Sequence, residues 1–167
     1  MNAALCFIIS LLVVASAVGQ ENLSEANLKI RGIGSGSSYR SVIARFGQPA
    51  SRKVESFQAD KFSCIPVAHT LVKLGYPGLN FELLGDGRSR NLKVVELDVS
   101  SDRWSASGIK IGARPDHVVR RFGRPVSQEQ KGTWMGYYYV TPGNSGTVRF
   151  EFRRARLFRI AMSETLC

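Results

Sequence analysis

The chain has 167 residues and a formal net charge of +10, from 23 Lys and Arg against 13 Asp and Glu. Its content of 44% hydrophobic and 10% aromatic residues is enough for a packed core, which excludes wholesale disorder. The 16 glycines and 6 prolines follow no triplet period, which excludes a collagen-like repeat. With 3 Cys and 2 His, a zinc site would use almost the whole supply of ligands, so we predict no metal site and no cofactor.

The first twenty residues have the pattern of a secretory signal peptide. They carry no charged side chain, residues 5–14 are almost all apolar, and Ala15-Ser16-Ala17 offers the small residues that a signal peptidase accepts. The alternative is a membrane anchor, but the apolar stretch of about 16 residues is shorter than the roughly 20 that a spanning helix needs. We therefore predict a signal peptide over residues 1–20, a periplasmic or secreted mature chain, and no transmembrane span.

Removal of residues 1–20 would leave two cysteines, Cys64 and Cys167. An exported protein meets an oxidising compartment, where two remaining cysteines tend to pair. The bridge would close a loop of about 100 residues and stabilise the fold by about 4 kcal/mol in the chain-entropy treatment. The alternative is two separate thiols. Neither cysteine lies in a pattern that activates a catalytic thiol.

The chain contains an internal repeat in which residues recur 76 positions later. Arg45-Phe46-Gly47 recurs as Arg121-Phe122-Gly123, and Val42-Ile43 recurs as Val118-Val119. The matches also include four further pairs: Gly32-Ile33 with Gly108-Ile109, Gly36 with Gly112, Pro49 with Pro125, and Ser51 with Ser127. Such agreement predicts two copies of one supersecondary unit.

Each copy is predicted to open with a short helix. In the first copy, Ser37 or Ser38 suits the N-cap, and Gly47 followed by Pro49 ends the helix. In the second copy, Pro115 suits the first helical position, and Gly123 repeats the stop. The apolar residues Val42, Ile43 and Phe46, like their counterparts in the second copy, form one narrow stripe that would face a sheet.

Alternating apolar and polar residues after each helix predict three strands per copy. The first copy has one strand within residues 69–74, a second with Leu79, Phe81 and Leu83 facing inward, and a third with Val95, Leu97 and Val99 facing inward. The second copy has one strand within residues 135–141, a second with inward Val148, Phe150 and Phe152, and a third with inward Phe158, Ile160 and Met162.

Short connections favour antiparallel pairing of these strands. The predicted fold class is α+β: a tandem repeat of one helix plus a three-stranded antiparallel sheet, with both helices on one face of a curved sheet and the other face open. The predicted domains are 1–20 for the signal peptide, 21–103 for the first repeat and 104–167 for the second.

The repeated element, written G-[IL]-x-x-G-x-x-x-x-x-V-[IV]-x-R-F-G-x-P, resembles the SmpA/OmlA domain of outer-membrane assembly lipoproteins. That domain is similar in fold to the beta-lactamase inhibitory proteins, and the tandem arrangement over residues 29–165 looks more like the inhibitors. The resemblance implies a non-catalytic protein that presents an open, aromatic-rich sheet to a protein partner.

Aromatic and basic residues near the end of the chain are the predicted partner-binding site. Trp134, Tyr137, Tyr138 and Tyr139 lie on one predicted strand, with Tyr137 and Tyr139 on the face opposite Tyr138. We predict that Trp134, Tyr137 and Tyr139 anchor the partner and that Arg149 and Arg153 orient it. Ordinary sheet packing of the tyrosines is the alternative.

The net positive charge predicts an acidic protein partner. We also predict that the chain is not an enzyme. The runner-up is a cell-envelope or outer-membrane assembly factor that binds anionic lipid, peptidoglycan or another polysaccharide. Nucleic acid would fit the charge, but predicted export argues against it. A third hypothesis is a hydrolase of cell-wall material, which would need a closed pocket with convergent acid and base groups; the sequence shows no such pair.

Overall fold

The computed structural model of the chain describes residues 25–59, 65, 67–86 and 91–165. It contains two α-helices, α1 (Tyr39–Phe46) and α2 (Pro115–Phe122). Its ten strands are β1 (Ser51–Phe57), β2 (His69–Tyr76), β3 (Leu79–Asp86), β4 (Lys93–Val99), β5 (Ser105–Ala106), β6 (Ile109–Lys110), β7 (Ser127–Lys131), β8 (Trp134–Val140), β9 (Gly146–Arg153) and β10 (Arg156–Glu164). The predicted signal peptide, Cys64 and Cys167 all lie outside the described residues.

One antiparallel sheet of eight strands dominates the fold. Its strand order is β1-β2-β3-β4-β10-β9-β8-β7, so the strands that follow α1 meet the strands that follow α2 where β4 pairs with β10. Strands β5 and β6 form a separate two-stranded hairpin. The described chain is therefore mostly β structure.

The predicted fold class is wrong. The chain does not repeat a helix plus a three-stranded sheet, because each helix is followed by four strands of one continuous sheet. The strands of this sheet that the prediction missed are β1 and β7, which form its two edges and are exposed along almost their whole length. An edge strand with solvent around it needs no apolar alternation, so its sequence lacks the usual strand signal.

The helix termini follow the local sequence as predicted. Ser38 is the N-cap of α1, where its hydroxyl accepts a hydrogen bond from the Ser41 amide. Helix α2 begins at Pro115, whose missing N–H costs nothing at that position. Gly47 and Gly123 end the two helices with φ of 76° and 82°, values that glycine adopts without strain.

The core lies between the helices and one face of the sheet. Phe81, Leu97, Met162, Val148 and Tyr139 are cross-strand neighbours in one row across β3, β4, β10, β9 and β8, and all of them are buried. Both helices supply apolar side chains to this same cluster, with Val42 and Val118 fully buried. The two helices therefore cover the same face of the sheet.

Two β-bulges next to the β4–β10 pairing change which side chains face the core. Register shifts in β4 and β10 place Val94 and Leu157 inward, while Val95 and Phe158 are only partly buried. The predicted inward positions of Val95 and Phe158 are therefore wrong, because a bulge inserts one residue into the alternation. The predicted inward positions of Leu97, Val99, Ile160 and Met162 are confirmed.

A tyrosine on the sheet forms a hydrogen bond to the end of each helix and packs beneath it. The Tyr76 hydroxyl on β2 donates to the Gly47 carbonyl, and the Tyr139 hydroxyl on β8 donates to the Gly123 carbonyl, both at 3.0 Å. The rings pack beneath Phe46 and Phe122, with centroids 5.6 and 5.8 Å apart. These bonds satisfy carbonyls just past the helix ends, which have no partner inside the helix.

Candidate functional site

The second face of the sheet, called here the open face, carries neither α1 nor α2. Alternation along the strands fixes its members: Arg149 and Glu151 on β9 lie on it, since Val148, Phe150 and Phe152 are buried on the other side. Cross-strand pairing extends the same face to Tyr138 on β8 and to Asp98 on β4.

The open face is nearly balanced in charge. Its strand positions carry seven acidic side chains: Glu55, Glu82, Asp86, Glu96, Asp98, Glu129 and Glu151. They also carry eight basic side chains: Lys53, Lys73, Lys93, Lys131, Arg149, Arg153, Arg156 and Arg159. The expected basic open face is therefore wrong, since most of the net charge of the described residues lies elsewhere.

The charges at the centre of the open face are paired. Arg159 on β10 donates to Asp98 on β4 at 2.5 Å, and its second nitrogen lies 3.5 Å from Glu151. Arg149 Nε lies 2.8 Å from Glu151 Oε1, and the Glu151 side chain is only about a tenth exposed. The Arg159–Asp98 pair therefore links the two halves of the sheet across the β4–β10 pairing.

This pairing shows in the pKa of Arg159. The hydrogen bond that Arg159 donates to Asp98 raises the pKa of the Arg159 guanidinium, whereas partial desolvation lowers it. The ionised Asp98 beside it therefore favours the charged form of Arg159.

A hollow of about 720 Å³ opens on this face over β1–β4 and β10. Its lining includes Gly75, Asn80, Lys73, Glu82 and Glu96. Lys73 bonds Glu82 at 3.0 Å, and this hydrogen bond raises the pKa of Lys73. Partial desolvation and the facing charge of Glu82 raise the pKa of Glu96.

An aromatic pair lies on the other half of the open face. Gly136 separates Trp134 from Tyr138 along β8, and a Cβ on Gly136 would come within 2.8 Å of the Trp134 ring and 3.2 Å of the Tyr138 ring. The absent side chain therefore leaves room for the indole of Trp134 beside Gly136. The Tyr138 hydroxyl donates to Glu129 at 3.0 Å, which holds the second ring in place.

The predicted site residues divide between the two faces. Trp134, Arg149 and Arg153 lie on the open face. Tyr139 is 1% exposed and packs under α2 on the other face, and Tyr137 shares that face, with its ring 5.2 Å from Phe152. The placement of Tyr137 and Tyr139 on the open face is therefore wrong, and Tyr138 is the tyrosine that sequence reasoning missed.

The register of the β8–β9 hairpin could have identified Tyr138. Alternation alone shows that Tyr138 faces away from Tyr137 and Tyr139, but not which side carries the helix. Val148, Phe150 and Phe152 are plainly the inward side of β9. A turn that pairs Val140 with Thr147 then places Tyr138 beside Arg149, on the outward side.

Within the described residues, no group of three or more His, Cys, Asp or Glu side chains could hold a metal ion. No helix over the same residues is long and apolar enough to cross a membrane.

Comparison with known proteins finds no matching protein-family model and no significant match among curated proteins. Three solved structures resemble the chain. An extracellular protein containing a SCP domain from Bacillus anthracis is 12% identical with a TM-score of 0.46, and the match covers 78% of this chain but only 44% of that protein.

Two smaller proteins are matched over more of their length. A DUF4309 family protein from Bacillus subtilis is 11% identical with a TM-score of 0.40, over 77% of this chain and 79% of that one. A provisionally named beta-lactamase inhibitor protein from Streptococcus mutans is 19% identical with a TM-score of 0.29, over 77% and 83%. One inhibitor-type protein is thus among the matches, but likeness at this level assigns no function.

Proposed function

We propose that this chain is an exported, non-catalytic binding module that recognises a protein partner through the open face of its sheet. The observation that carries the proposal is the aromatic pair, Trp134 and Tyr138, fixed on a sheet face that neither helix covers. Rigid aromatic side chains that are already in position lose little conformational entropy when a partner docks, and such residues dominate many protein interfaces.

The balanced charge of the open face bears on the partner. Ion pairs such as Arg159 with Asp98 and Lys73 with Glu82 already use most of the charge at the centre. A partner with mixed charge would complement this face better than the acidic partner expected from the sequence. The charged groups would set the orientation, and the aromatic pair would supply most of the affinity.

A photo-crosslinking experiment tests the proposal. A photoreactive phenylalanine analogue replaces Tyr138 on the open face or Arg120 on α2, and each protein is exposed to extract from the compartment to which the mature chain is exported. We expect the Tyr138 position to crosslink one defined protein and the Arg120 position to leave that protein uncrosslinked. Equal crosslinking of that protein from both positions would overturn the proposal.

Binding of the purified partner then tests the anchors. We expect Trp134→Ala to weaken the complex by about thirtyfold, as loss of a buried aromatic anchor does. Gly136→Ala should also weaken it, because the new methyl group displaces the indole. The matched control is Tyr137→Phe, on the helix-covered face, which should bind as the wild type does. Unchanged binding by both open-face variants would show that the aromatic pair is not the site.

A further inference from the structure

Most of the net positive charge of the described residues lies away from the open face. Away from the open face, the described residues carry 12 basic side chains: Lys29, Arg31, Arg40, Arg45, Arg52, Arg103, Lys110, Arg114, Arg120, Arg121, Arg124 and Arg154. They carry only four acidic ones: Glu25, Asp102, Asp116 and Glu164. Ten of those 12 are arginines, whose planar guanidinium groups bind carboxylate, sulfate and phosphate oxygens in pairs.

Four of these cations lie on one connected path between the two helices, called here the basic track: Arg45, Arg31, Lys29 and Arg121. The Arg31 guanidinium donates to the Arg45 carbonyl at the end of α1. The Lys29 amide donates to the Ser107 hydroxyl, and Arg121 on α2 donates to the Ser107 carbonyl, both at 2.9 Å. All four cations are exposed.

Contacts with the fold hold two of the four cations of the basic track in place, Arg31 and Arg121. Arg31 lies 5.0 Å from the centre of the Trp104 ring and 5.6 Å from that of Phe46, so its charged group is held against two aromatic faces. Arg121 lies 5.6 Å from the centre of the Phe122 ring. A series of exposed cations along one path between the helices suits an extended anionic chain.

We infer that the basic track binds a linear anionic polysaccharide, on the side of the molecule opposite the protein-binding face. The chemistry favours a polymer over a lipid surface. The large hydrophobic side chains that are exposed among the described residues are Val54, Phe57, Val67 and Val126, and none of them belongs to the track. The rings beside the track, Phe46, Trp104 and Phe122, are partly buried and packed against the core, so they are poorly placed to insert among lipid chains. Predicted export would bring the chain to such polymers, and simultaneous binding on both sides would tether the protein partner to them.

Heparin, a linear sulfated polysaccharide, is the probe that tests this inference. We expect Lys29→Gln/Arg45→Gln to weaken heparin binding by about tenfold in low salt, since each surface cation contributes modestly and the contacts are screened by salt. The matched control is Lys131→Gln/Arg153→Gln on the open face, which removes one Lys and one Arg and the same charge. It should bind heparin nearly as the wild type does.

Three outcomes are decisive. Rescue by Lys29→Arg/Arg45→Lys, with thermal unfolding unchanged in every variant, would support the basic track as the site. Equal loss in the track variant and the open-face control would show that net charge alone attracts heparin, and it would overturn the inference. Binding to phosphatidylglycerol vesicles in place of heparin would overturn it in favour of a lipid surface. None of these results depends on the Trp134→Ala or Gly136→Ala variants that test the protein-binding face, so the two proposals can fail separately.

Discussion

At the scale of single residues, Tyr139 shows how one side chain can look like a binding residue and serve the fold instead. Its ring is buried under Phe122 and Phe150, and its hydroxyl reaches the carbonyl that follows α2. Tyr76 makes the same bond at the end of α1. An aromatic cluster in a sequence therefore identifies strand residues well but not the face on which each one lies.

We expect Tyr139→Phe to lower the free energy of unfolding by about 1 kcal/mol, because the Gly123 carbonyl loses its hydrogen bond in a partly buried place. Urea unfolding measures the change. Tyr137→Phe is the control, since its hydroxyl forms no such bond to a helix end, and it should leave the midpoint almost unmoved. A Tyr139→Phe protein as stable as wild type would show that the bond contributes nothing net.

The same substitution should change the response to alkaline pH. Burial raises the pKa of Tyr139 to about 12, from an ordinary value of 10.0. The folded state therefore holds this proton more tightly than the unfolded state, so the stabilisation is complete below pH 10 and is lost as the pH rises towards 12. Burial also raises the pKa of Tyr76. Tyr139→Phe should therefore make the decline above pH 10 shallower without abolishing it.

At the scale of elements, the two helices have the same length but different N-caps. Ser38 caps α1 with its hydroxyl, whereas Arg114 stands at the N-cap of α2 and makes no side-chain cap bond. Its backbone nevertheless has the extended conformation that an N-cap residue adopts. Helix α2 is thus one side-chain hydrogen bond short of its counterpart.

This difference predicts opposite effects of two substitutions. Ser38→Ala should destabilise the protein by about 1 kcal/mol, while Arg114→Ser should stabilise it by about 0.5 to 1 kcal/mol. The ion pair that Arg114 makes with Asp116 is 3.7 Å long and exposed, so its loss costs little. Thermal unfolding gives both values. A loss of stability in Arg114→Ser would indicate that the arginine does more than occupy the cap.

The predictability of each element follows from where its determinants lie. Helix ends depend on caps and glycines within a few residues, so Ser38, Gly47 and Pro115 could be read directly from the sequence. Buried strands such as β3 show their alternation openly, as Leu79, Phe81 and Leu83 do. Edge strands and bulges depend on neighbours distant in sequence, so β1, β7 and the shifts at Val95 and Phe158 could not be predicted in this way.

The candidate site was less predictable than the fold for the same reason. Of the predicted site residues, Trp134 and Arg153 lie directly opposite each other, since the short β8–β9 hairpin pairs them. The link from Arg159 to Asp98 spans 61 positions and exists only because β10 pairs with β4. The separation of a balanced sheet face from a basic helix side likewise appears only once the strands are assembled.

At the scale of the whole molecule, the buried cluster continues across the place where the two halves of the sheet meet. Leu97 and Val99 on β4 pair with Met162 and Ile160 on β10, and all four belong to one core. The Arg159–Asp98 bond spans the same line on the open face. Packing on both faces therefore couples the halves.

We expect the protein to unfold in one cooperative step. Trp104 packs against Phe46 beside α1, and Trp134 lies on β8, so the two indoles report on different halves. Proteins with Trp134→Phe or Trp104→Phe each retain one fluorescent reporter. Within each variant, its urea midpoint by fluorescence should coincide with that by circular dichroism. Separate transitions within a variant would show that the halves fold as independent units.

The first and last described residues of the chain lie close together. Glu25 bridges to Val140, and the Thr165 amide bonds the Ser145 carbonyl, so residues 25 and 165 both lie at the turn between β8 and β9. A second protein fused at residue 25 or at residue 165 would therefore be attached at the same end of the molecule. A short linker could join these two positions and new ends could be cut elsewhere, which makes the protein a candidate scaffold for circular permutation.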